Sequence, residues 1–91
     1  MREVAGVRIE LELDGETVDD VAYRVRADGG TLGRAVVRRA DGEVGFAWEV
    51  EPPEPVLRLA RAFLRSLWNG RRKPDAPPWP RRVTRWRATP K

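Results

Sequence analysis

Apolar and polar residues alternate through the first half of this chain. Val7, Ile9, Leu11 and Leu13 share one parity, and Arg8, Glu10 and Glu12 share the other. Val21, Tyr23 and Val25 alternate in the same way with Ala22, Arg24 and Arg26, as do Val44, Phe46, Trp48 and Val50 with Gly45, Ala47 and Glu49. An extended chain puts alternate side chains on opposite faces, so these runs predict half-buried antiparallel strands. The stretch from Leu32 to Ala40 is less regular, because Val36-Val37 and Arg38-Arg39 interrupt it; a bulge or burial on both faces explains that. Three Asp-Gly pairs (Asp14-Gly15, Asp28-Gly29 and Asp41-Gly42) fall between the runs, and Asp-Gly tolerates the positive φ of tight hairpin turns. The pattern predicts a four-stranded antiparallel meander in the order 1-2-3-4. Its large-residue face carries Val7, Ile9, Leu11, Val21, Tyr23, Val25, Phe46 and Trp48, while the opposite face is polar, with small residues at Gly45 and Ala47.

The period then changes. Pro52, Pro53 and Pro55 cannot continue a strand ladder but suit the first turn of a helix, where Glu54 also favours the helix dipole. Val56, Leu59, Ala60, Phe63 and Leu67 follow helical spacing, flanked by Leu57, Leu64 and Trp68. An amphipathic helix over 53–69 is predicted, packed on the large-residue face, with Gly70 as its stop. Arg58, Arg61 and Arg65 fall together on its outer side. The apolar arc spans roughly 180° at 100° per residue, wider than one sheet face covers. Leu57, Leu64 and Trp68 then need cover from a second subunit or from the chain's own tail.

Charge separates the chain into two parts. Residues 70–91 hold eight cations (Arg71, Arg72, Lys73, Arg81, Arg82, Arg85, Arg87 and Lys91) against Asp75 alone, a net +7, whereas 1–69 carry ten arginines and 13 acids, a net −3. Two of the four tryptophans, Trp79 and Trp86, stand among those tail cations. The segment from Arg71 to Pro80 is proline-rich and extended. After it, Thr84, Trp86 and Ala88 alternate with Val83, Arg85 and Arg87, a pattern that fits a fifth strand on a sheet edge. The expected organisation is an α+β domain over 1–70 and a basic tail over 71–91, packed on the domain or on a partner subunit.

Composition narrows the chemistry. With 41% hydrophobic and 35% charged residues, the 91-residue chain is of globular type. No segment is apolar enough to span a membrane, and the N-terminal residues lack a secretory apolar region, so a cytoplasmic location is expected. The absence of cysteine excludes disulfides and thiolate metal sites. Depletion of Asn, Gln, Cys and Met beside abundant charge is a thermophile-like pattern; G+C-rich codon usage yields a similar one. Sixteen of the 18 cations are arginine, whose planar fork suits phosphate or carboxylate.

Without His or Cys, no Ser-His or Cys-His nucleophile can be assembled. Glu10 and Glu12 share a strand face about 6.5–7 Å apart, close enough for paired-carboxylate hydrolysis but more simply read as a solvated face or as partners of Arg24 and Arg26. Asp14, Glu16, Asp19 and Asp20 cluster at the first turn without the spacing of a calcium loop. The glycines of Asp28-Gly29-Gly30-Thr31-Leu32-Gly33 precede a strand, which excludes a phosphate-binding loop. The expectation is a non-enzyme with no cofactor, no metal and no evident small-molecule substrate.

The predicted order over residues 5–69, four antiparallel strands and then a helix, resembles the repeat unit of Whirly and Pur-type single-strand nucleic-acid-binding proteins. The resemblance implies a sheet that binds the strand and a helix that helps to dimerise. The leading expectation, motivated by the +7 segment with its two indoles, is contact with RNA or single-stranded DNA through Arg71, Arg72, Lys73, Arg81, Arg82, Arg85 and Arg87, with Trp79 and Trp86 stacking on bases and Arg58, Arg61 and Arg65 tracking phosphates. The alternative is a protein-interaction or assembly module, a homodimer, in which the tail reaches a partner's acidic surface and both tryptophans are buried.

Overall fold

The computed structural model describes residues 6–27 and 30–88, with side chains described for 8–27 and 30–85. It contains five antiparallel strands and one helix: β1 (Gly6–Glu16), β2 (Asp20–Ala27), β3 (Gly30–Arg38), β4 (Val44–Trp48), α1 (Glu54–Gly70) and β5 (Arg82–Ala88). The sheet order is β4-β3-β2-β1-β5. The predicted α+β class is observed, but the sheet has five strands where four were expected. The C-terminal segment supplies the fifth, with Leu11 opposite Val83 and Glu12 opposite Arg82.

Register explains which face is buried. Leu13 faces Tyr23, Tyr23 faces Ala35 and Ala35 faces Phe46, so the residues of one parity line up across the strands. Ile9, Leu11, Val21, Tyr23, Val25, Ala35 and Val37 are fully buried on that side. Gly33 sits in the same layer because a Cβ there would meet the Ala47 carbonyl and the Trp48 backbone. The predicted core face is the observed one, although the Val7 side chain lies outside the described residues.

One of the expected turns differs. Asp14-Gly15 does not turn the chain; it forms a bulge inside β1, where the register shifts between Leu13 and Gly15. The turn comes at Thr17, whose Oγ1 accepts hydrogen bonds from the amides of Asp19 and Asp20. A side-chain acceptor that holds two amides forms the turn without positive φ. Asp41-Gly42 is a turn as expected, with Gly42 at φ 74° and Asp41 Oδ1 accepting from the Glu43 amide. Asp28-Gly29 lies outside the described residues. The irregularity expected near Val36-Val37 is displaced to Leu32, the extra residue between the Val25–Gly33 and Arg26–Thr31 pairs.

α1 buries Val56, Ala60 and Leu64 at four-residue intervals. Leu64, expected at the edge of the apolar arc, is fully buried near its centre. Gly70 is the last helical residue and not a left-handed stop. Arg71 closes the helix instead: its amide donates to the Trp68 carbonyl and its Nη1 to the Leu67 carbonyl at 3.0 Å, satisfying acceptors that a helix C-terminus leaves open.

The segment after α1 returns across the core. Trp79 is only 8% exposed, joins the core cluster with Val83, and its ring centroid lies 6.2 Å from that of Tyr23. The Tyr23 hydroxyl donates to the Pro80 carbonyl at 2.7 Å. Among the described residues no helix is long and apolar enough to cross a membrane.

Candidate nucleic-acid interface

The arginines of this protein stand in two kinds of surroundings. On the uncovered sheet face Arg8, Arg24, Arg34 and Arg82 meet carboxylates. Arg8 lies 3.1 Å from Glu10, Arg82 lies 2.8 Å from Glu12, and Arg34 and Arg24 lie 3.0 and 3.6 Å from Asp14. Asp14 continues the parity of Glu10 and Glu12, so it points to the same face and reaches both of those last two, which are directly opposite each other in the ladder. Glu10 and Glu12 are directly opposite Arg26 and Arg24, and Arg8 and Arg82 lie at ion-pair distance from them. Of the four acids considered as metal ligands, Asp14 and Glu16 are engaged by arginines, and no group of three or more such ligands is brought together among the described residues.

Around α1 the arginines meet aromatic rings. Arg61 lies 5.5 Å from the Phe46 centroid, and Arg65 and Arg72 lie 5.9 and 5.0 Å from the Trp68 centroid. Arg71 lies 5.6 Å from the Trp79 centroid. The rings themselves are well supported. Phe46 stacks on Trp48 at 4.6 Å and 12°. Trp68 donates its indole N–H to the Arg39 carbonyl at 2.9 Å and lies over Gly42, where a Cβ would come within 2.5–2.9 Å of three ring atoms. Arg58, at the start of the same row, is 3.4 Å from Glu54. A ring holds a guanidinium in place without cancelling its charge, whereas a carboxylate cancels it.

The tail residues proposed from sequence divide accordingly. Arg82 is paired with Glu12. Arg71 is half-buried, tied to the Leu67 and Pro78 carbonyls. Arg72, Lys73, Arg81 and Arg85 are exposed, and none has a carboxylate partner among the described residues. Trp79 is buried, so it presents no ring face for stacking. Trp86 is opposite Arg8 and Arg87 opposite Val7 in the ladder, but their side chains lie outside the described residues. Sequence reasoning passed over Phe46, Trp68 and Arg39 as parts of this surface. Phe46 and Trp68 read as core by periodicity, and only the packing of α1 on β4 shows that their rings stay half-exposed beneath arginines.

One titration reports the fit of the tail. Burial pushes the Tyr23 hydroxyl up to about 12, against a smaller opposing effect from the Arg71 charge.

No family model matches this chain, and no curated protein or solved structure matches it either. The likeness to Whirly and Pur-type units therefore rests on element order alone.

Proposed function

We propose that this protein is a non-catalytic binding protein that takes up RNA or single-stranded DNA along the arginine side of α1. The observation that carries the reading is the row Arg61, Arg65 and Arg72, each held over the half-exposed ring of Phe46 or Trp68 with no carboxylate beside it. Phosphates meet uncancelled guanidinium charge there, and unpaired bases stack on guanidinium and aromatic planes. Lys73, Arg81 and Arg85 extend the positive field beyond the helix. On the sheet face, by contrast, Arg8, Arg24, Arg34 and Arg82 lie against carboxylates of Glu10, Asp14 and Glu12. Of the arc that suggested a partner, Leu64 is buried and Trp68 packs on Gly42 within the chain, while Leu57 is partly exposed, which lends self-association less support.

The test is titration of a labelled single-stranded oligonucleotide at two salt concentrations. Binding should weaken as salt rises, and Arg61→Gln with Arg65→Gln should lower the slope of log K against log[salt] by roughly 1.4, about 0.7 per phosphate contact. Truncation of 71–91 is a poor probe, since it removes Trp79 and Val83 from the core. Absent or salt-independent binding would defeat the reading.

A further inference from the structure

Where the end of α1 meets the returning segment there is a groove of about 220 Å³, lined by Arg39, Ala40, Trp68, Arg71, Arg72 and Trp79. Three arginines line it. Arg39 is anchored by Nε to the Thr17 carbonyl at 2.9 Å and by Nη2 to Glu16 at 3.0 Å. Arg71 is anchored by Nε to the Pro78 carbonyl at 3.2 Å and by Nη1 to the Leu67 carbonyl at 3.0 Å. A guanidinium carries five N–H donors, so Arg39 and Arg71 each keep three after these bonds. Arg72 lies over Trp68 and spends none on a described acceptor.

We propose that this groove is a binding site for a phosphate monoester dianion. The charge count selects the ligand class. Glu16 offsets Arg39, while among the described residues Arg71 and Arg72 are paired with carbonyls and rings and with no carboxylate, leaving two positive charges in excess. A phosphate monoester carries nearly two negative charges at neutral pH; a carboxylate or an internal phosphodiester carries one. The site is also built before the ligand arrives. Main-chain carbonyls fix the Arg39 and Arg71 forks, and the two indoles fix the walls, so little ordering accompanies binding. Guanidinium forks match phosphate oxygens two at a time. The groove shares Arg72 and Trp68 with the row along α1, while Arg39, Arg71 and Trp79 belong to it alone, and it does not depend on strand binding at Arg61 and Arg65. Its phosphate has two sources, free phosphate or the phosphorylated end of a nucleic-acid strand.

The full chain is titrated with inorganic phosphate, and separately with oligonucleotides of one sequence carrying either a 5′-phosphate or a 5′-hydroxyl. Phosphate should shift the Trp68 indole N–H resonance, and the 5′-phosphorylated strand should bind roughly tenfold tighter than its hydroxyl counterpart, as charge-assisted hydrogen bonds allow. Arg72→Gln, at an exposed site where folding is preserved, should abolish both effects, while Arg24→Gln on the sheet face should leave both intact. Phosphate binding that Arg72→Gln removes, without strand preference, supports the site with free phosphate as its ligand, even if no oligonucleotide binds and the helix-row reading fails. Equal affinity for the two strands together with an unmoved Trp68 resonance overturns the site, as does a phosphate effect that survives Arg72→Gln; neither result touches salt-dependent binding along α1.

Discussion

The uncovered sheet face and the outer side of α1 use the same residue type to opposite ends. On the sheet, Arg8, Arg24, Arg34 and Arg82 are matched to Glu10, Asp14 and Glu12. On α1 and just beyond it, Arg61, Arg65, Arg71 and Arg72 are matched to Phe46, Trp68 and Trp79. Both arrangements hold a long side chain in place. Only the second leaves the charge for a ligand, because a ring quadrupole attracts a cation without neutralising it. Counting arginines therefore says little about where a polyanion binds. Their neighbours decide it.

The largest effect tests whether the tail belongs to the ring-bearing region at all. Trp79→Ala removes a buried indole from against Tyr23 and takes away the ring beneath Arg71. It should cost about 3–5 kcal/mol of stability in urea denaturation, and the loss of the β5 ladder should show in amide exchange. A near-neutral result would mean that residues 71–81 are not part of the core. Next comes Gly42→Ala, which combines a positive φ with a clash against the Trp68 ring. A cost of about 1–3 kcal/mol is expected from overpacking, together with weaker oligonucleotide binding as Trp68 moves from under Arg65 and Arg72.

Tyr23→Phe deletes the hydrogen bond to the Pro80 carbonyl and should cost about 0.5–1.5 kcal/mol. It also has a pH signature. The folded protein holds Tyr23 protonated up to about 12, above its ordinary value of 10.0. The native state therefore keeps the proton longer than the unfolded chain does, and Tyr23's contribution is complete below pH 10 and is lost as pH rises toward 12. Denaturation midpoints measured across that range should show this fall in the parent and lack it in the variant. The chain has only one tyrosine, so no other phenol contributes.

The smallest effect sharpens the contrast between the two faces. Glu12→Gln breaks the exposed pair with Arg82 and should change stability by less than about 1 kcal/mol. At low salt it should strengthen oligonucleotide binding slightly, since it releases one cancelled charge. A large loss of stability would show that the sheet-face pairs contribute more than charge balance.

Much of this was legible along the chain, for identifiable reasons. Period two in Val21-Tyr23-Val25 and Val44-Phe46-Trp48, and the helical recurrence of Val56, Leu59 and Ala60, each report burial on one face, and burial is a local pattern; the burial of Leu64, read at the edge of the arc, was not legible. Asp41-Gly42 was equally readable, because the backbone conformation it adopts is one few residues tolerate. Asp14-Gly15 was not. The same dipeptide serves a bulge when a stronger turn former, Thr17, follows within a few residues. Whether Arg71 caps the helix, Arg82 finds Glu12 or Arg72 lies over Trp68 depends on partners far away in sequence, which no local pattern encodes.

Sequence alone determined the α+β class, the face of the sheet that is buried, the span of the helix to within a residue, and the excess of positive charge toward the C-terminus. These follow from periodicity and composition, which act through neighbours along the chain. Tertiary structure decided that the tail becomes an edge strand with Trp79 inside, and that the arginines divide between carboxylates and rings. Those outcomes depend on which surfaces meet when β5 closes against β1 and α1 settles over β4, because charge is cancelled or kept by contacts in space.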